Sequence, residues 1–89
     1  MPEPQETLLE FPCAFPLKVM GLADEELSPA VLTIVRRHAP EFDDSSVEMR
    51  ASSGGKYLSL TCTITATSKL QLDELYRELS SHPLVKIVL

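Results

Sequence analysis

His38, Cys13, Cys62 and the acidic run Glu41-Phe42-Asp43-Asp44 are the residues whose chemistry could reach beyond packing. A histidine titrates near neutral pH and is a natural general base. His38, however, follows Arg36 and Arg37 directly and stands just before Pro40, where a helix would end. All three side chains then offset the negative end of a helix dipole, which is the simpler reading. His82 precedes Pro83 and has no evident partner. Carboxylates 41, 43 and 44 could gather on a cation, but three acids in a loop are more often solvated. Ser53-Gly54-Gly55 joins two strand patterns instead of leading a strand into a helix, so it reads as a turn and not as a phosphate loop. Cys62 alternates with threonines on the apolar side of a strand, where a thiol behaves as a small hydrophobe. Cys13 sits between Phe11 and Phe15, and the pair reads as buried or inert thiols. No nucleophile, base and orienting group fall together, and no cofactor motif is present; the expectation is a non-enzyme.

The elements that would position these residues are well marked. Tyr57 to Thr67 alternates without a break: Leu58, Leu60, Cys62, Ile64 and Ala66 face one way, Ser59, Thr61, Thr63, Thr65 and Thr67 the other. Side chains alternate faces on a strand, so this is a long central strand buried on one side. Phe15 to Gly21 is a strand with Phe15, Leu17 and Val19 inward and Lys18 and Met20 outward, and Pro16, lacking an amide donor, belongs near its beginning. From Asp24 to Ala39 the period becomes helical, with Leu27, Val31, Ile34, Val35 and His38 on one stripe. Asp24 and Ser28-Pro29 both offer plausible starts. Val47, Met49 and Ala51 alternate with charged and polar residues, and Ser52-Ser-Gly-Gly55 makes the hairpin turn into the Thr-rich strand. A second helix carries Leu72, Leu75, Tyr76 and Leu79, and a last strand places Val85, Ile87 and Leu89 inward and Lys86 outward.

The order strand, helix, strand, strand, helix, strand specifies an α+β, ferredoxin-like βαββαβ two-layer sandwich with antiparallel sheet order 4-1-3-2. With 89 residues there is room for one domain. Residues 11–89 form it, preceded by an acidic, Pro-containing arm over 1–10 whose Leu8 and Leu9 could dock beside Phe11. The N-terminus lacks the pattern of a signal peptide and no apolar run approaches a membrane span, so the expected compartment is the cytoplasm.

The fold hosts many functions, and each has its own residue requirements. A net charge of −5 argues against nucleic acid, which needs clustered cations. The outer face of the central strands offers Lys18, Met20 and threonines, with only Tyr57 as a stacking group. A metal chaperone would carry paired cysteines in Gly21-Leu22-Ala23-Asp24, and an acylphosphatase-like enzyme an anion cradle; the loop has neither.

Lys18-Val-Met-Gly21, Arg37-His-Ala-Pro40, the Ser52-Ser-Gly-Gly-Lys-Tyr57 hairpin with its threonine strand, and Leu75-Tyr-Arg-Glu-Leu79 followed by Val85 to Leu89 resemble the YbeD-like family of small bacterial proteins. The resemblance spans about Leu8 to Leu89. It implies a ferredoxin-like fold akin to the ACT regulatory domains, with a hint of lipoate metabolism, and it carries no catalytic residues.

Two surfaces follow. The ACT likeness suggests a small-effector site, for an amino acid or other carboxylate, at Gly21, Leu22 and Asp24. Against it, Gly21 reads as a strand-ending turn that uses glycine's permissive backbone angles. The other surface is the outer sheet face, Lys18, Met20, Thr61, Thr63, Thr65 and Lys86, as a contact for a protein partner or a weak homodimer. The expected function is a non-enzymatic regulatory or interaction module, with the effector-binding regulator as the alternative.

Overall fold

The computed structural model describes residues 10–89. The expected arm, with Leu8 and Leu9, lies outside the described residues apart from Glu10. Four strands and two helices follow in the anticipated order: β1 (Cys13–Leu22), α1 (Leu27–His38), β2 (Glu48–Ala51), β3 (Tyr57–Ala66), α2 (Lys69–Ser80) and β4 (Val85–Val88). The sheet runs β2-β3-β1-β4, which is the order 4-1-3-2 of a ferredoxin-like sandwich. β1 and β3 pair antiparallel along their whole lengths, from Cys13 opposite Ala66 to Leu22 opposite Tyr57. The two edge strands are four residues each, and short edges offer little ladder to a stray strand.

One face of the sheet holds the core. Leu17 and Val19 from β1 and Leu60, Cys62, Ile64 and Ala66 from β3 are buried against Leu27, Val31, Ile34 and Val35 of α1 and Leu72, Leu75 and Leu79 of α2. Both helix stripes therefore match the spacing that predicts them. Phe42, from the acidic loop, is buried in the same core.

α1 begins at Leu27, between the two starts that the sequence offered. Asp24 shapes the entry: its carboxylate accepts from the Glu26 amide at 2.8 Å and its carbonyl from the Leu27 amide at 2.9 Å. Pro29 is then the third helical residue, where the amide has no helical partner in any case. Ser68 caps α2 by accepting from the Gln71 amide at 3.0 Å.

Pro16 departs from expectation. It is the fourth residue of the ten-residue β1, opposite Thr63. The Lys18 amide bonds the Leu89 carbonyl on the β4 side, so amides two residues apart, including the position of Pro16, face that side. The described ladder to β4 ends at Leu89, and the missing N–H of Pro16 costs no sheet bond.

β4 also departs from expectation. Val88 lies opposite Val19 and Ile87 opposite Met20, but Val85 lies opposite Gly21, leaving Lys86 as the extra residue of a β-bulge. An inserted residue inverts the alternation. Val85 and Val88 thus face the core, while Ile87, expected inward, is 48% exposed on the outer face. Leu89, also expected inward, pairs through reciprocal backbone bonds with outward-facing Lys18 and is 66% exposed.

Candidate interaction surface

Register maps the outer face row by row. Ile87, Met20, Ser59 and Arg50 lie side by side across β4, β1, β3 and β2, and the next row is Leu89, Lys18, Thr61 and Glu48. Leu22 faces Tyr57 at one end of the sheet; Pro16 with Thr63 and Ala14 with Thr65 continue toward the other. Directly opposed side chains lie about 4.5–5.5 Å apart at Cβ. The face, expected to be mildly polar with apolar patches, is divided into two ends. Thr63 and Thr65 make one end hydroxyl-rich, and Met20, Leu22, Tyr57, Ile87 and Leu89 make the other apolar.

Of the residues anticipated for this surface, Lys18, Met20, Thr61, Thr63 and Thr65 share it. Lys86 is exposed at the bulge. Two shallow depressions mark the face: one of about 190 Å³ between Lys18, Glu48, Arg50 and Thr61, and one of about 160 Å³ between Met20, Arg50, Tyr57 and Ser59.

The loop after β1 is built differently from an open ligand cradle. A Cβ added to Gly21 would sit 2.3 Å from the Leu84 carbonyl oxygen and 2.8 Å from Leu27 Cδ1. Gly21 is therefore required for close backbone approach to the segment before β4, and not for a special backbone angle; the positive φ belongs to Gly55 of the hairpin. The loop amides are already engaged: Leu22 donates to Leu84, Ala23 to Lys56 and Asp24 to Leu22, at 2.8–2.9 Å. The chain itself fills the space in which an effector's carboxylate would find its donors.

His38 is half-buried, and its Nε2 lies 2.7 Å from Glu78 Oε1. Glu78 Oε2 accepts from Arg37 Nη1, so one carboxylate of α2 bridges the Arg37 and His38 side chains at the end of α1. Gln71 adds a second clamp, its Nε2 donating to the His38 carbonyl at 2.8 Å while its Oε1 accepts from the Thr67 amide at 2.7 Å. The Ser68-x-x-Gln71 spacing, a capping-box signature, is visible in the sequence; the cross-helix bonds are not. Arg36 pairs with Asp44 at 2.7 Å, and the Ser45 hydroxyl and amide hold the Asp43 carboxyl below its usual range. The acidic loop is thus used in local structure. Beside the Glu78 bridge, an open groove of about 510 Å³ runs between the helices over Pro29, Ala30 and Ile34.

Cys13 and Cys62 are free thiols. Burial pushes Cys62 up to about 11, which keeps it protonated and unreactive near neutral pH. Among the described residues, no three His, Cys, Asp or Glu side chains converge as a metal site, and no helix is long and apolar enough to cross a membrane.

A family model described as a protein of unknown function, DUF493, matches residues 6–89. The chain belongs to this family. It is 55% identical over 87 residues to a UPF0250 protein of Janthinobacterium, covering 98% of this chain and 96% of the relative. It is 52% identical over 85 residues to a UPF0250 protein of Nitrosomonas europaea, covering 96% and 98%. A UPF0250 protein of Chromobacterium violaceum is 47% identical over 89 residues, covering both chains completely. The assignment agrees with the YbeD-like resemblance carried by the hairpin, the threonine strand and the two helix ends. DUF493 relatives match the entire β-sheet and both helices, so the outer face and the Glu78 bridge lie within the region this family shares.

Proposed function

We propose that the chain is a small, non-enzymatic interaction module of a regulatory kind that engages a protein partner through the outer face of its sheet. The observation that supports this most directly is the apolar half of that face. Met20, Ile87 and Leu89 lie together on a surface that no element of the described chain covers, and Ile87 and Leu89 are 48% and 66% exposed. Exposed aliphatic groups set among charged neighbours are the composition of an interface core with its rim. A link to lipoate metabolism rests on the family resemblance alone.

The test is a double variant, Met20→Glu with Thr63→Glu, compared with the parent and with a helix-face control, Glu74→Lys. Two unpaired charges buried in an interface cost several kcal/mol, roughly enough to abolish a micromolar association. Neither side chain faces the core, so the fold should persist. Partners captured by the parent and the control should be lost from the double variant. If the double variant keeps the same partners and sedimentation behaviour, the outer face is not the contact surface.

The effector-binding alternative at Gly21, Leu22 and Asp24 has less to support it, because the loop's amides are engaged and the space over Gly21 is filled by Leu84 and Leu27. Saturable chemical-shift changes centred on this loop with amino acids or lipoate-like acids would restore it.

A further inference from the structure

We infer that the occupant of the outer sheet face is an aliphatic segment of another protein flanked by carboxylates, a proposal that rests on reading this face as the contact surface. Charge is unevenly divided in this molecule. The chain carries −5 overall, yet the cations on its strands are Lys18, Arg50 and Lys86, against the single carboxylate of Glu48. In the helical layer, Arg36, Arg37 and Lys69 are neutralised by Asp44, Glu78 and Asp73. Lys18, Arg50 and Lys86 make no ion pair among the described residues.

With Lys86 at the bulge, the outer face itself carries Lys18 and Arg50 against Glu48, so its apolar end is bordered by a small excess of positive charge on an acidic protein. Arg50 lies across from Ser59 on β2 and Lys18 is the next outward residue along β1 from Met20, both lining one depression with Glu48, while Ile87 lies across from Met20 on β4. A matching partner sets aliphatic side chains over Met20 and Ile87 and carboxylates toward Lys18 and Arg50. Apolar burial then supplies affinity, and the charges supply register and rate of encounter.

Other occupants match less well. A second copy brings the same excess of cations. Nucleic acid would need a row of stacking aromatics, and this face carries Tyr57 alone. The chain's own acidic arm has suitable residue types in Leu8, Leu9 and Glu10. Leu9, however, precedes Cys13 by four residues and reaches at most about 14 Å from it. Met20 lies seven residues along β1 from Cys13, roughly 23 Å at the rise of a strand.

The experiment titrates the isotope-labelled full chain with three probes: a synthetic peptide of leucines flanked by glutamates, the same peptide with lysines for glutamates, and single-stranded oligo-dT. The expected result is saturable shifts at Met20, Ile87 and Leu89 with the glutamate peptide and little response to the lysine peptide. Lys18→Glu with Arg50→Glu should weaken the glutamate peptide about tenfold or more and strengthen the lysine peptide, with core resonances unmoved. Raised salt should weaken the glutamate peptide as well. Equal response to both peptides overturns the acidic assignment while leaving the face a contact surface. Oligo-dT binding there, or concentration-dependent shifts of the same residues without any probe, overturns it in favour of nucleic acid or a second copy. Silence with every probe overturns it too. The Met20/Thr63 capture experiment separately decides whether this face is a contact surface at all.

Discussion

The two faces of one sheet are made from the same strands, yet they are different materials. The inner face of β3, Leu60, Cys62, Ile64 and Ala66, is sealed under both helices, while Thr63 and Thr65, one residue away along the same strand, are exposed. Inside, shape decides, because close packing leaves no room to relax. Outside, the side chains are free to serve a second purpose, and composition shifts from the hydroxyls of Thr63 and Thr65 to the aliphatic groups of Met20, Ile87 and Leu89. The contrast teaches that the helix-covered face answers for stability, which leaves the bare face available for the recognition proposed for it.

The hardest blow to that division would come from neighbours on β3. Leu60→Ala empties a fully buried site and should lower stability by about 2–5 kcal/mol, whereas Thr61→Ala on the other face should stay within about 0.5 kcal/mol. Urea unfolding of the two variants measures the difference. Equal losses would mean that the outer face is also structural.

Next is Gly21→Ala. Its methyl group would meet a backbone carbonyl that cannot rotate away, and a loss of about 1–3 kcal/mol is expected. Gly54→Ala, with nothing within 4 Å, should change little. A tolerated Gly21→Ala would show that β4 can draw back, reopening this loop to a ligand.

The bulge at Lys86 is tested by two serines. Val88→Ser should cost about 1 kcal/mol, since a hydroxyl replaces apolar contact with the core. Ile87→Ser should leave stability almost unchanged while removing partner binding. Reversed effects on thermal melting would mean that β4 keeps simple alternation.

Cys62 and Glu78 give the smallest effects. Burial raises the folded thiol from 9.0 to about 11, so the folded state holds its proton while the unfolded chain loses it. The contribution is fully present below pH 9 and is lost as the pH rises toward 11. Cys62→Ala should flatten that part of the stability–pH profile. Glu78→Gln should cost no more than about 1 kcal/mol, less in high salt, because this bridge is partly exposed.

How much could be read ahead depended on how local the cause was. The alternation of β3 and the stripes of both helices were legible because each repeats over ten or more residues. The second half of β4 departs from its own sequence pattern. Its pattern Val85, Ile87, Leu89 alternates, yet a bulge opposite Met20 and Gly21 reverses it, and Val88 takes the inward place. Gly21 is required for a reason its own segment does not display, since the crowding comes from Leu84, which is distant in sequence. The Glu78 bridge joins residues about forty apart, and no short-range pattern announces it.

By itself, the sequence determined the fold class, the order of elements and the inward side of β1 and β3, because periodicity of two or of 3.6 commits each segment's apolar face before it meets a partner. Tertiary structure alone decided which residues share the exposed surface. That choice depends on pairing register, on one inserted residue in a four-residue strand, and on where the helices stop covering the sheet. These are relations between segments far apart in the chain. They made an apolar, cation-flanked face from residues that, read singly, resemble an ordinary solvated strand.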